Sequence, residues 1–142
     1  MRVAPVSSRI QEALLAQSEF RVEPAGIVLF RRGEAAFGIF LVQTGSVSLR
    51  LEGDGEATIL DRVADPGSIV GLPGTLSGPC YSLTAVTLER CQLAFIEREK
   101  LLSAIKKDSD LGMELMRALG DEIISMRNVM ASPPSMGPTP AR

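Results

Sequence analysis

The sequence predicts a mainly β protein with flanking helices (α+β): a jelly roll with a short helix before it and a long helix after it. Three observations lead there. From residue 19 to 96, short apolar runs are separated by clusters of Gly, Pro and Asp, the punctuation of short strands and tight turns. Several of these runs alternate apolar with polar residues, which gives one buried and one wet face. Beyond Ile96 the apolar period lengthens from two to between three and four, the period of a helix.

The elements follow in order. Ser7 and Ser8 can cap a short helix over Arg9 to Gln17, with Ile10, Leu14 and Leu15 on one face. Phe20 and Val22 alternate with Arg21 and Glu23 as in a strand, and Pro24-Ala25-Gly26 turns the chain. Ile27 to Phe30 is a short apolar run broken by Arg31-Arg32-Gly33-Glu34. Ile39 to Val42 is a second run, closed at Gly45. Val47, Leu49 and Leu51 then alternate with polar residues. Gly53-Asp54-Gly55 signals a hairpin, with a return strand from Ala57 to Val63. A turn at Asp65-Pro66-Gly67 leads into a Gly/Pro/Ser/Thr-rich segment, and strands follow at Ser82 to Leu88 and Gln92 to Ile96. Glu97 to Lys107 is helical. Ser109 or Asp110 can cap a second helix that reaches about Met130.

Two apolar stripes run along that last helix. Met116, Leu119, Ile123, Met126 and Met130 have heptad spacing and are the expected homodimer interface. Leu111, Leu115 and Ala118 form a second stripe that can pack on the β body. The reading is one domain over residues 1–130, with the β-roll at about 19–96 and the C-terminal helices at 97–130. A Ser/Pro/Gly-rich disordered tail is expected over 131–142.

Composition narrows the function. At 142 residues the chain suits a single domain. A net charge of −2 and the lack of a Lys/Arg-rich run argue against nucleic-acid binding by this chain alone. The chain has no His, which removes His-based triads, a His general base and His-ligated metals. Its two cysteines, Cys80 and Cys91, have no CxxC spacing and read as reduced thiols. No catalytic residue, metal ligand or cofactor is expected. Without a signal-peptide core or a membrane-length apolar run, the expected location is the cytoplasm.

Function concentrates in Ser68 to Ala85, SIVGLPGTLSGPCYSLTA. Gly71, Gly74 and Gly78 permit sharp turns, while Pro73 and Pro79 stiffen the path. Such a segment can turn backbone N–H groups inward as a small anion-binding concavity. It can equally be a plain surface loop.

The ordered set of elements and residues resembles the cyclic-nucleotide-binding domain of the catabolite activator/fumarate–nitrate reductase regulator (CRP/FNR) family, without its C-terminal helix-turn-helix domain. The best match is LFRRGEAAFGIFLVQTG, Leu29 to Gly45. Gly33, Glu34, Ala36, Ile39 to Val42 and Gly45 fit the family pattern, while Phe30 stands where a smaller residue is usual. The turn Asp65-Pro66-Gly67-Ser68 and the strand Cys91 to Ile96 also match. The resemblance implies a double-stranded β-helix, a jelly-roll β-roll, with a long dimerisation helix. It places Ser68 to Ala85 on the phosphate-binding cassette. The implied ligand contacts are Gly71, Leu72, Pro73, Gly74, Thr75, Leu76, Tyr81, Ser82 and Thr84.

Members that bind a cyclic nucleotide carry Gly-Glu at the start of the cassette and Arg-Ser/Thr-Ala near its end. Here Gly71 is in place, but Leu72 replaces the Glu, Tyr81 the Arg and Leu83 the Ala. Loss of a charge-assisted phosphate contact costs about three decades or more in affinity. The backbone from Gly71 to Leu76, with the Ser77, Ser82 and Thr84 hydroxyls, is left to hold at most a weak cyclic nucleotide or other small anion. The expectation is therefore a non-enzymatic regulatory module with a degenerate cassette, a homodimer open to a small-molecule effector. The alternatives are a working cAMP/cGMP sensor, or the effector-binding half of a CRP/FNR-type transcription regulator.

Overall fold

The computed structural model describes residues 2–52 and 58–131, with the side chains at 52–60, 123 and 125–131 outside that description. The Gly53-Asp54-Gly55 hairpin tip and the tail beyond 131 therefore lie outside the described residues.

Eight strands form two four-stranded antiparallel sheets. They are β1 (Glu19–Glu23), β2 (Val28–Phe30), β3 (Gly38–Thr44), β4 (Val47–Glu52), β5 (Thr58–Ala64), β6 (Ile69–Val70), β7 (Thr84–Thr87) and β8 (Cys91–Glu97). One sheet runs β1-β8-β3-β6 and the other β2-β7-β4-β5. This is the expected jelly roll. Four helices flank it: α1 (Ser8–Leu15), α2 (Leu72–Ser77), α3 (Arg98–Lys107) and α4 (Ser109–Ala131).

The unbroken apolar run of β3 follows from burial on both of its faces. Phe40 and Val42 point between the sheets, where they meet Leu49, Ala85, Leu93 and Phe95. Ile39 and Leu41 point the other way, into a second core with Ile10, Leu14, Leu101, Leu111, Leu115 and Leu119. A strand covered on both faces reads as continuously apolar rather than alternating. β8 divides in the same way, with Leu93 and Phe95 on one side and Ala94 and Ile96 on the other.

Several local expectations are corrected. β1 forms where predicted, but Phe20 and Val22 face outward at 71% and 52% exposure. Arg21 covers the inner face instead, its guanidinium 4.4 Å from the Phe95 ring centroid. α1 is capped by Ser7, whose hydroxyl accepts from Ile10 N. For α4 neither Ser109 nor Asp110 caps the helix. Asp108 does, its Oδ1 accepting from Leu111 N at 3.1 Å. The segment after Gly71 is not a loop throughout. It carries α2, which begins after Gly71 at φ 91° with Pro73 in its first turn.

An N-terminal arm completes the second layer. Val3 N donates to Val63 O and Val6 N to Gly67 O, both at 2.9 Å, so the arm lies along β5 and the turn after it. Ser7 and Arg9 reach Glu114, the latter at 2.7 Å, and tie the arm and α1 to α4. No described helix is long and apolar enough to cross a membrane.

Candidate functional site: the cassette cleft

The cassette connects β6 to β7 and folds over the open end of the space between the sheets. Gly71 turns the chain with a left-handed backbone, and its α-carbon lies beside the Tyr81 and Phe30 rings. Gly74 is required by close approach, because a Cβ there would lie 2.5 Å from Cys80 O. The segment after α2 thus packs directly against the helix backbone. The Thr75 N–H is bonded to Gly71 O at 3.2 Å, so α2 uses that donor internally.

Tyr81 decides what the cleft can hold. Its ring is 2% exposed and stacks on Phe30 with centroids 3.8 Å apart and planes 13° apart. Phe37 packs edge-on to it at 5.3 Å. The phenol donates to Gly38 O at 2.6 Å and accepts from the Phe37 and Gly38 amides at 3.2 and 3.1 Å. Thr75 also donates to Gly38 O, at 3.1 Å. Burial pushes the phenol's pKa above its ordinary 10.0, opposed by its bonds to Gly38 and Phe37, so it stays neutral.

The remaining cleft is lined by Phe30, Leu49, Gly71, Pro73, Gly74, Tyr81, Ser82, Leu83 and Glu122 and encloses about 10 Å³. That is room for about one water.

The structure brings Gly71, Pro73, Gly74, Tyr81 and Ser82 of the predicted set to this cleft. It does not bring the others. Leu72, where the resemblance expects a Glu, is 4% exposed and packs in the helical core with Ile10 and Ile69. Leu76 packs against the same core. Thr75 is held by Gly38, and the Thr84 hydroxyl accepts from Arg32 N at 3.0 Å.

Phe30, Leu49, Leu83 and Glu122 line the cleft without having been foreseen as contacts, and Arg62 joins them only through Glu122. Phe30 is the stacking partner of Tyr81, and its unusual size in an otherwise matching motif was the available signal. Glu122 and Arg62 have no local signal. Arg62, from β5, is 3% exposed and donates to the Glu122 carboxylate of α4 at 3.1 Å. Burial raises the Glu122 pKa, opposed by the charge and hydrogen bond of Arg62. The pair spans β-roll and long helix beside the cleft.

On the expected dimer seam, Met116 is exposed, but Leu119 is buried with Leu111 and Leu115 in this chain's own core. Among the described side chains of α4, the exposed large apolar ones are Met113, Met116 and Ile124. The side chains of Ile123, Met126 and Met130 lie outside the described residues. Among the described residues no group of three or more Cys, Asp or Glu could hold a metal ion.

Comparison with known proteins places this architecture. The chain is similar in structure to the c-di-GMP-responsive global regulator CLP of Xanthomonas campestris, at TM-score 0.73 and 24% identity over 88% of this chain and 61% of that one. It is similar to the catabolite activator protein of Thermus thermophilus, at TM-score 0.74 and 22% identity over 88% of this chain and 59% of that one. A protein from a cyclic-GMP-dependent pathway regulating bacterial phytopathogenesis matches at TM-score 0.74 and 21% identity, over 88% of this chain and 97% of that one. The chain thus spans about three fifths of the length of the first two. Among curated protein sequences none matches. The cyclic nucleotide-binding domain model matches residues 20–108, from β1 to the end of α3. With the two sheets and the flanking helices in their places, the chain belongs to the cyclic nucleotide-binding domain family.

Proposed function

We propose that this chain is a regulatory module whose cassette no longer binds cAMP or cGMP tightly, and that it acts as a homodimer through α4. One observation carries the reading: the Tyr81 ring occupies the cleft, stacked on Phe30, where the family pattern has a phosphate-binding guanidinium. A cyclic nucleotide needs a pocket of roughly 300 Å³ or more, against about 10 Å³ here. Tyr81 offers no charge to a phosphate, and Glu122 at the cleft wall repels one. To admit the nucleotide, Tyr81 must leave its stack and give up three hydrogen bonds, each contributing about 0.5–1.5 kcal/mol.

Calorimetric titration with cAMP and with cGMP tests this. The expected result is no binding below millimolar concentration, and micromolar binding of either nucleotide overturns the reading. The variant Leu72→Glu/Tyr81→Arg restores both charged residues in sequence, but Leu72 lies in the helical core, so this variant is expected to lose stability before it gains a ligand.

A second reading is the effector-binding part of a longer transcription regulator. It is favoured by the coverage of about three fifths of two regulators. In that case a gel-shift assay with these 142 residues gives no DNA complex, whereas a longer chain from the same source does.

A further inference from the structure

A roomier cavity than the cassette cleft lies between the N-terminal arm and α4, with Ile69 and Leu72 of the cassette segment in its wall. It encloses about 340 Å³, within the size range of small-molecule sites. Its wall is largely apolar, with Val3, Val6, Ile10, Ile69, Leu72 and Ala118 among its residues. The backbone bonds of Val3 and Val6 hold the arm in place, so the cavity is built by the fold. Its charges are balanced: Arg2, Arg62 and Arg117 against Glu114, Asp121 and Glu122. Most of them are already engaged. Arg2 pairs with Asp65 at 2.6 Å, Glu114 with Arg9 at 2.7 Å and Glu122 with Arg62 at 3.1 Å.

Arg62 is the exception to that economy. It is 97% buried, yet the Glu122 contact uses only Nη1, and Nε is buried with no partner among the described residues. A guanidinium has five donors in a fixed fork and suits a carboxylate. A buried donor left unpaired is costly, and Arg62 stands in the cavity wall. The balanced lining leaves no excess of positive charge for a phosphate dianion, but an arginine with spare donors suits a single negative charge.

We propose that this cavity binds a small amphipathic carboxylate, one carboxylate on an apolar body such as a medium-chain fatty acid or an aryl carboxylate, with Arg62 as its anchor. The apolar body lies against Val6, Ile10 and Ala118, and the carboxylate takes the donors that Glu122 leaves. The site is a different cavity from the cassette cleft, although Glu122 stands in the lining of both, and its test requires no nucleotide.

The test is calorimetric titration of the full chain with sodium octanoate and with 1-octanol, which shares the apolar body but not the charge. Octanoate is expected to bind below millimolar concentration, and octanol about tenfold more weakly or worse. Filling the cavity from either wall, with Ala118→Phe on α4 or Val6→Trp on the arm, is expected to weaken octanoate binding by about tenfold or more. Glu122→Gln leaves Arg62 in place and removes a competing carboxylate, so octanoate should bind it at least as tightly as wild type. Lack of octanoate binding at millimolar concentration overturns the proposal. So does equal affinity for octanol, or unchanged binding in a folded cavity-filling variant.

Discussion

Tyr81 is a structural residue of the cassette segment. Its hydroxyl closes on Gly38 and its ring on Phe30, contacts between residues far apart in sequence. Tyr81→Phe keeps the ring and removes the oxygen, leaving the Gly38 amide buried without that acceptor. It is expected to cost about 1–3 kcal/mol in urea denaturation. Tyr81→Ala also removes the stack and should cost about 3–5 kcal/mol, as large-to-small core changes do. Tyr81 is the only tyrosine, so phenolate absorbance reports it alone. Its folded-state pKa lies above the ordinary 10.0, so the folded state keeps the proton longer than the unfolded chain does. The stability it contributes is therefore fully present below pH 10.0 and is lost as pH rises through the folded-state pKa. An alkaline titration should show the phenol ionising above that value, together with loss of the β-sheet circular dichroism signal. A midpoint at or below it would contradict the burial argument.

At the scale of elements, α4 is joined to the β-roll by more than apolar packing. Leu111, Leu115 and Leu119 bury one stripe, and Glu122, one turn on from Ala118, reaches Arg62 of β5. Arg62→Met leaves the Glu122 carboxylate buried without its partner and is expected to cost about 3–5 kcal/mol. The double change Arg62→Met/Glu122→Leu should recover most of that loss, because an apolar pair of similar size avoids burying charge. The two faces of α4 also separate by mutation. Leu119→Glu puts a charge in the core and should unfold the domain. Met116→Glu alters an exposed site and should leave the melting temperature within a few degrees. If the heptad-spaced seam read from the sequence joins two copies, Met116→Glu and Ile123→Glu should sediment as monomers where wild type is a dimer. A dimer that survives both changes rules out this seam.

For the whole molecule, the fold keeps the family's frame, and Leu72 and Tyr81 of the cassette segment are both part of its core. The inter-sheet core runs without interruption from Phe40 and Val42 through Phe30 to Tyr81. Free volume is found instead between arm and helix. The sequence carried much of this frame. Turn residues at Gly26, Gly33, Gly45 and Gly67 all have positive φ, where a side chain would strain the backbone, and each ends a strand that the apolar pattern had located. The departures at Leu72 and Tyr81 were also visible, since they fall in a segment whose pattern is local. What was missed in the site is long-range. Phe30 and Tyr81 each read as a single deviation, and only their contact makes them one plug.

The amino-acid sequence by itself determined the order of elements and the jelly roll. Those properties follow from periodicity, turn chemistry and residue type, which act over a few neighbouring residues. The tertiary structure alone decided that Leu72 turns into the helical core, that Leu119 belongs to the monomer and that Phe20 and Val22 face outward. It also decided that Asp108 caps α4, that Tyr81 fills the cleft and that Arg62 meets Glu122 across 60 residues. Apart from the choice of cap, these outcomes depend on which face of each element another element covers. A period of two or of 3.6 gives the faces, but only packing chooses between them.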